Sequence, residues 1–307
     1  MTTTPLKIGT RGSPLALVQA ESVAAPLRAL GRDVEIVPVR TEGDRRLEVQ
    51  LAAIGGKGLF VREIEEMLLA GTLDCAVHSL KDLPAETPAG LALAAFPERE
   101  DPRDVLVTRE PHRFEHLRPG ARLGTASPRR RALALALRSD LVVEPVRGNV
   151  GTRLAKLENT GLDGILLAAA GLKRLGVAPP HVQALDPDAF VPAVGQGVLA
   201  VETRADDRDV LAVLSRLDHA ATRACALAER ACLGRLGASC SSPVAAHAVL
   251  EGASLKITAL VASDDGRKVL RATLAGAADD AVRLGRRAAD SLLEQGAATV
   301  APLRPVT

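Results

Sequence analysis

Residues 6–14 read LKIGTRGSP, and residues 121–128 read ARLGTASP. Each stretch is a short, partly apolar run followed by Gly-Thr and then by Ser-Pro. Serine is favoured just before a helix and proline as its first residue, so both stretches predict a strand followed directly by a helix. The same pattern in two places predicts two similar α/β halves.

The first two hundred residues alternate short apolar runs with amphipathic stretches, which indicates buried strands separated by helices. The predicted strands are 6–10, 34–40, 73–78, 91–96, 105–108, 122–125, 141–146 and 164–168, and the clearest predicted helices are 14–30, 60–70, 129–138 and 150–158. After residue 217 the sequence predicts an Ala-rich helix, three β-like runs from residues 244, 255 and 268, and a helix 277–293. This last part predicts a smaller α+β domain.

The composition is that of a globular protein with more than one domain: 307 residues, 47% hydrophobic and 25% charged. A formal net charge of +2 and four Phe with no Trp or Tyr leave little to bind nucleic acid, so no nucleic-acid partner is expected. The N-terminal residues lack a signal-peptide core, and no apolar run reaches the ~20 residues of a membrane span. We therefore expect a cytoplasmic protein with no membrane association.

Arginine dominates the basic residues, since only seven of the 39 are lysine. A GC-rich genome would explain that excess, so the positions of the arginines matter more than their number. Arg129, Arg130 and Arg131 follow Ser127 in the first helical turn, where the helix dipole disfavours cations. A carboxylate or phosphate ligand would compensate them; the alternative is that they are solvated or bridge nearby acids.

Further basic residues lie where predicted strands end and helices or loops begin. In an open α/β sheet ligands gather at the carboxyl ends of strands, so these side chains are expected to face one cleft. They are Arg11, Lys57, Lys81, Arg147 and Arg153.

Asp82, next to Lys81, follows an apolar strand and is a candidate catalytic acid. Such a carboxylate can accept a ligand N–H, offset a developing cation or move a proton; the alternative is an ordinary cap or turn residue.

Cysteine and histidine patterns separate one candidate from several ordinary residues. Cys75, Cys225 and Cys232 lie in apolar or Ala-rich runs and are expected to fill cores, whereas Cys240 lies in a turn-like Ser-rich stretch where a thiol can act as a nucleophile. His112 and His116 have i, i+4 spacing without a third ligand, so no metal site is predicted. Residues 54–58 lack the first Gly and the Ser/Thr of a phosphate loop, and hydrolase and dinucleotide motifs do not occur.

Seven segments resemble, in order, the porphobilinogen deaminase family. They are RGSPLAL (11–17), GGKGLF (55–60), AVHSLKD (76–82), EREDPRD (98–104), RGNVGTR (147–153), AGLKRLG (170–176) and PAVGQG (192–197). The resemblance implies an α/β protein with two domains like the halves of a periplasmic-type binding protein and a smaller α+β C-terminal domain. It implies a discontinuous domain 1 of residues 1–97 with 198–217, a domain 2 of residues 102–192 and a domain 3 of residues 218–307, in a monomer.

The resemblance also implies the chemistry. In the family, a dipyrromethane primer is attached to a cysteine through a thioether, and the position in this sequence that matches this cysteine is Cys240. Four molecules of the substrate porphobilinogen are added head to tail, each losing ammonia, and water releases the linear hydroxymethylbilane for haem and other tetrapyrrole biosynthesis. The chain is thus expected to be a transferase.

Residue by residue, the resemblance assigns catalysis to Asp82 and an active-site loop to Lys57. The residues implied to bind the primer are Lys81, Thr125, Ser127, Arg129 and Arg130. Those implied to bind substrate and growing chain are Arg11, Ser13, Arg147, Arg153 and Arg174.

One departure from the family lies beside the anchor: Ala238 and Ser239 precede Cys240 where the family usually has two glycines. Two alternatives therefore stay open. One is a binding protein for small organic anions that performs no chemistry, and the other is an inactive family member whose altered loop no longer carries the primer.

Overall fold

The computed structural model of the chain describes residues 4–239 except 41–60, and residues 241–306. The chain divides into two compact units, a first of Met1–Arg99 with Val198–Arg223 and a second of Glu100–Gly197 with Ala224–Thr307.

The described strands and helices are as follows. The strands are β1 (Leu6–Arg11), β2 (Val34–Val39), β3 (Cys75–Ser79), β4 (Leu91–Ala95), β5 (Asp104–Thr108), β6 (Arg122–Gly124), β7 (Val142–Glu144), β8 (Gly164–Ala168), β9 (Val182–Ala184), β10 (Leu199–Arg204), β11 (Val244–Glu251), β12 (Ser254–Ala262) and β13 (Val269–Ala277). The α-helices are α1 (Pro14–Ala29), α2 (Arg62–Leu69), α3 (Pro128–Leu137), α4 (Val150–Asn159), α5 (Ala169–Arg174), α6 (Arg208–Leu214), α7 (Ala220–Leu236) and α8 (Ala281–Glu294).

The first unit is built on a five-stranded sheet of order β2-β1-β3-β10-β4. β1, β2 and β3 run parallel, while β10 is antiparallel to both of its neighbours. Apolar residues of α1 such as Leu27 pack on one face with Ile8 and Val77. Ile64 and Leu68 of α2 pack on the other face.

The second unit contains a five-stranded sheet of the same plan, β7-β6-β8-β5-β9. Its fourth strand, β5, is again antiparallel to both neighbours, and β6 is parallel to β7 and β8. The expectation of two similar α/β halves is therefore confirmed.

The repeated sequence pattern has the predicted local structure in both halves. Ser13 Oγ caps α1 by accepting a hydrogen bond from Ala16 N at 3.3 Å, and Ser127 Oγ caps α3 in the same way. The glycine of each Gly-Thr pair has no room for a side chain. A Cβ would lie 2.4 Å from Leu73 at Gly9 and 2.7 Å from Val146 at Gly124.

The second unit also holds a three-stranded antiparallel sheet, β11-β12-β13. One face forms a core with α7 and α8 through residues such as Cys232, Leu255 and Leu292. Ala245 and Leu260 instead join the cluster around Phe114 and Leu133, so this small sheet also packs on the α/β part of its own unit. The predicted α+β C-terminal part is confirmed.

Several elements differ from the sequence prediction. β9, β10, α5 and α6 are not among the predicted elements, and the predicted strand 141–146 shrinks to β7. β10 is buried on both faces and includes the buried Glu202, so it shows no apolar–polar alternation. α5 follows β8 without a loop and has six residues, too few for a helical period to show.

Candidate functional site

In the first unit, predicted site residues lie at one edge of the sheet. β1 and β3 are parallel neighbours, so their carboxyl ends lie at the same edge. Arg11 ends β1, and Lys81 and Asp82 lie in a 3-10 turn directly after β3. Asp82 is exposed and Lys81 is half-buried.

This turn is held on both sides. Gln19 of α1 donates from Nε2 to Ser79 Oγ at 2.9 Å, and Ser79 Oγ donates to Gln19 Oε1 at 3.2 Å. Leu80 N donates to Val198 O at 3.0 Å, and the Leu80 side chain is buried. The backbone just before Asp82 is therefore held in place at Ser79 and Leu80.

A buried pair of polar side chains lies on the neighbouring strands β3 and β10. His78 Nε2 is 3.1 Å from Glu202 Oε2, and both side chains are buried. Burial, and then the charge of Glu202, raise the pKa of Glu65 on α2.

In the second unit, the carboxyl ends of β6, β7 and β8 lie at one edge of the sheet. Asp104 lies at the same edge, because it begins the antiparallel strand β5 and pairs with Ala168 at the end of β8. The predicted site residues around this edge are Thr125, Ser127, Arg129 and Arg130 after β6, Arg147 and Arg153 after β7, and Arg174 at the end of α5.

Arg129 and Arg130 are buried and bind one carboxylate of the chain. Arg129 donates from Nη1 to Asp104 Oδ2 at 2.7 Å and from Nη2 to Oδ1 at 3.2 Å. Arg130 donates from Nε to Asp104 Oδ1 at 2.8 Å. The arginines are 4% and 5% exposed and Asp104 is 0% exposed. The sequence left open whether these arginines face an external anion or bridge to an acid of the chain. The described contacts show a bridge to an acid for both Arg129 and Arg130.

The electrostatics of this cluster follow from burial and proximity. Burial alone would raise the pKa of Asp104, but the charges of Arg129 and Arg130 and hydrogen bonds from Arg129 and Gln196 lower it from 3.8 to about 2. Burial also lowers the pKa of Arg130, and the charge of Arg129 lowers it as well; together these two effects outweigh the opposing effect of Asp104. The lowered pKa of Asp104 and the lowered pKa of Arg130 have the same origin, since one carboxylate compensates two buried guanidiniums.

The other predicted residues of this edge make local contacts. Thr125 Oγ1 accepts from Ser127 N at 3.2 Å, which shapes the turn before α3. Arg153 donates from Nε to Gly148 O at 2.7 Å. Arg174 donates from Nη2 to Gly197 O at 2.7 Å, and burial lowers its pKa against the opposing charge of Glu100.

Three cysteines are core residues, as predicted: Cys75, Cys225 and Cys232 are buried. Burial raises the pKa of the Cys232 thiol to about 12, and it raises that of Cys75 too. Neither thiol is poised as a nucleophile.

The predicted anchor Cys240 and the predicted loop residue Lys57 lie outside the described residues. On either side of position 240, Ser242 N donates to Ser239 O at 2.9 Å, and Ser239 N donates to Ser242 Oγ at 3.3 Å.

Two residues of the second-unit edge were missed by sequence reasoning. Asp104 and Gln196 both lie in family-like segments, yet neither was given a role. Gln196 Nε2 donates to Asp104 Oδ1 at 3.0 Å and to Pro102 O at 2.7 Å. Two adjacent arginines need an anion nearby, and this need was the one indication of a residue such as Asp104. The position of Asp104 in the sequence, however, gave no way to pair it with Arg129 and Arg130.

Within the described ranges, no group of three or more His, Cys, Asp or Glu side chains is placed to hold a metal ion. None of the helices that the structure describes combines the length and apolar composition needed to cross a bilayer.

Family comparisons cover almost all of the chain. Residues 6–212 match the model of the porphobilinogen deaminase dipyromethane cofactor binding domain, and residues 223–294 match the porphobilinogen deaminase C-terminal domain. The porphobilinogen deaminase of Syntrophus aciditrophicus (strain SB) is 49% identical over 95% of this chain and 96% of its own. That of Syntrophotalea carbinolica is 48% identical over 97% of this chain and 95% of its own. A periplasmic substrate-binding protein of an ABC transporter from Coxiella burnetii aligns with a TM-score of 0.43 and 14% identity, over 69% of this chain and 91% of that one.

Proposed function

Since the chain belongs to the porphobilinogen deaminase family, we propose which of its residues carry out the reaction and how. The chain is a transferase of tetrapyrrole biosynthesis that polymerises porphobilinogen, and its cofactor is dipyrromethane.

The second-unit edge fits a cofactor that carries carboxylates. Arg129 and Arg130 bring two positive charges and Asp104 one negative charge, so the buried cluster keeps a positive charge in excess. Arg129 Nε is buried and has no hydrogen-bond partner among the described residues. A buried N–H of a cation without an acceptor is costly, and an anionic group supplies the acceptor. This observation carries the proposal.

We assign cofactor binding to five side chains and one anchor. Arg129 and Arg130 bind carboxylates of the dipyrromethane, and Lys81, Thr125 and Ser127 complete the set. Cys240 is the proposed thioether anchor. When bound, the cofactor supplies the pyrrole carbon to which the first porphobilinogen is joined.

Asp82 is the proposed catalytic residue. Its exposed carboxylate follows a strand end that is fixed by Gln19 and Ser79, so it is positioned while open to ligand. A carboxylate there accepts N–H bonds from pyrrole nitrogens, stabilises positive charge that develops on them, and takes up or returns a proton as ammonia leaves.

Arginine supplies the charge that the growing chain requires, because each added ring brings an acetate and a propionate. Guanidiniums bind such carboxylates in a bidentate manner and stay charged. The residues assigned to substrate and chain are Arg11, Ser13, Arg147, Arg153 and Arg174, and Lys57 is assigned to the active-site loop.

Intact-protein mass spectrometry tests the anchor. We expect an adduct of two pyrrole rings on the purified chain that disappears in Cys240→Ala and persists in the control Cys225→Ala. An unmodified wild-type chain that binds porphobilinogen without turnover would indicate an organic-anion binding protein or an inactive family member.

A separate variant tests catalysis. We expect Asp82→Asn to keep the adduct but lose nearly all turnover, because the amide keeps the shape and removes the charge. The control is Glu86→Gln, an exposed acid in the next loop. Substantial turnover in Asp82→Asn would remove the role assigned to Asp82.

We also propose three domains, residues 1–97 with 198–217, 102–192 and 218–307; their support is the three separate sheets. We propose a monomer, because one chain carries every group assigned above, and a cytoplasmic enzyme, because a thioether resists thiol exchange in a reducing compartment. Light scattering at several concentrations tests the monomer, and a mass that rises to twice the chain mass would contradict it.

A further inference from the structure

Asp104 accepts hydrogen bonds from both buried arginines of the second unit. Both carboxylate oxygens receive bonds from Arg129, and this two-point contact fixes the plane of the Arg129 guanidinium. Oδ1 also accepts from Arg130 Nε. A single fully buried carboxylate therefore fixes the Arg129 plane and also anchors Arg130 through one bond.

Backbone carbonyls complete the arrangement. Arg129 Nη1 donates to Val191 O at 2.8 Å, and Arg130 Nη1 donates to Leu166 O at 3.0 Å. Each arginine is thus held by the carboxylate on one side and by the main chain on another, which leaves few N–H groups for a ligand and gives those a fixed direction.

We propose that Asp104 is a positioning residue for the dipyrromethane site, which orients Arg129 and Arg130 so that their remaining N–H groups bind the cofactor carboxylates. The inference rests on the cofactor role proposed above for the two arginines. Asp104 itself touches neither cofactor nor substrate in this scheme.

Gln196 extends the arrangement without adding charge. Gln196 is 1% exposed, its Nε2 donates to Asp104 Oδ1, and its Oε1 lies 3.5 Å from Arg130 Nη2. The preceding residue is fixed as well, because Gly195 N donates to the buried Glu229 Oε2 at 2.7 Å. Gln196 therefore offers a way to disturb the orientation of Asp104 while every charge stays in place.

A rival role for Asp104 makes the opposite prediction. If Asp104 only neutralised charge, it would compete with the cofactor carboxylates, and removing its charge would strengthen cofactor binding. If Asp104 orients the arginines, the same change weakens binding, because both guanidiniums lose the common acceptor that holds them in position.

The experiment measures the fraction of chain that carries the two-ring adduct, by intact-mass spectrometry on the folded, monodisperse fraction of each purified variant. We expect Asp104→Asn to lower this fraction about tenfold, because every charge-assisted bond to Asp104 is lost or weakened, and Gln196→Met to lower it about threefold, because only the bonds of Gln196 are lost. Asp104→Glu keeps the charge but moves it by one methylene, so it should restore the yield of folded protein and not the adduct.

The matched control is Asp140→Asn. Asp140 forms a two-point pair with Arg138 just beyond the other end of α3, at the surface, so its loss should leave the adduct unchanged. If Asp104→Asn yields no folded protein, Gln196→Met and Asp104→Glu decide the question.

Wild-type adduct levels in folded Gln196→Met or Asp104→Glu, or higher levels in Asp104→Asn, would overturn the inference. Arg129→Met and Arg130→Met separate it from the proposed function. If those two variants carry the adduct normally, the cofactor role of the arginines fails; if they lose it while the Asp104 and Gln196 variants keep it, only the positioning role fails.

Discussion

Replacing Gly197 by alanine should destabilise the second unit strongly. Gly197 has φ +85°, and a Cβ there would lie 2.3 Å from Glu100 O. Its carbonyl accepts from Glu100 N at 3.1 Å and from Arg174 Nη2 at 2.7 Å. The left-handed conformation costs an alanine about 1–2 kcal/mol. Moving the two backbones apart loses a neutral hydrogen bond of about 1 kcal/mol and weakens a charged one of about 2 kcal/mol.

The expected loss in the free energy of unfolding is therefore about 4 kcal/mol. Urea titration followed by far-ultraviolet circular dichroism measures it, which suits a chain without Trp or Tyr. The control is Gly176→Ala, because Gly176 has φ +64° and no described heavy atom within 4 Å of its built Cβ. That control should lose only the conformational 1–2 kcal/mol or so. Equal losses in the two variants would refute the steric reasoning.

Three further predictions concern the second-unit edge and the buried thiols. The pKa of Asp104 is lowered to about 2 in the folded chain, so its ionised form stabilises the fold by about 2 kcal/mol. This stabilisation should be complete above about pH 4 and lost as the pH falls toward 2, which urea titrations across that range measure. The same loss of stability in Asp104→Asn would contradict this. Cys232 and Cys75 should resist iodoacetamide at about pH 8 until urea unfolds the chain, as peptide mass mapping would show, because burial raises both pKa values. Ser127→Ala should cost about 1 kcal/mol of unfolding free energy, since it removes the cap on Arg130 N, and an unchanged urea midpoint would argue against a working cap.

Local chemistry made some features of this structure predictable. The caps at Ser13 and Ser127 follow from residue type and spacing alone, because a serine hydroxyl satisfies a helix N–H only a few residues away. The burial of Cys75, Cys225 and Cys232 was predictable too, because each lies in an apolar or Ala-rich run.

Long-range pairing was the part that local patterns could not supply. Asp104 meets Arg129 across 25 residues of chain, and only the antiparallel course of β5 brings its first residue to the edge where α3 begins. Gln196 reaches Asp104 from 92 residues away. Sequence spacing correctly raised the need for an anion beside the arginines, but it could not choose between an external ligand and an acid of the chain itself.

The strand order of the first sheet has a consequence for synthesis. β10 lies between β3 and β4, although the whole of residues 96–198 separates it from β4 in the chain. While the ribosome is making those residues, β3 and β4 have no common neighbour and expose unpaired backbone, which is a condition that favours association between nascent chains. The five strands of the second α/β sheet, in contrast, are all made by residue 184. The part of the chain that is translated second can thus complete its sheet first, and the N-terminal sheet stays open until residue 204 has emerged.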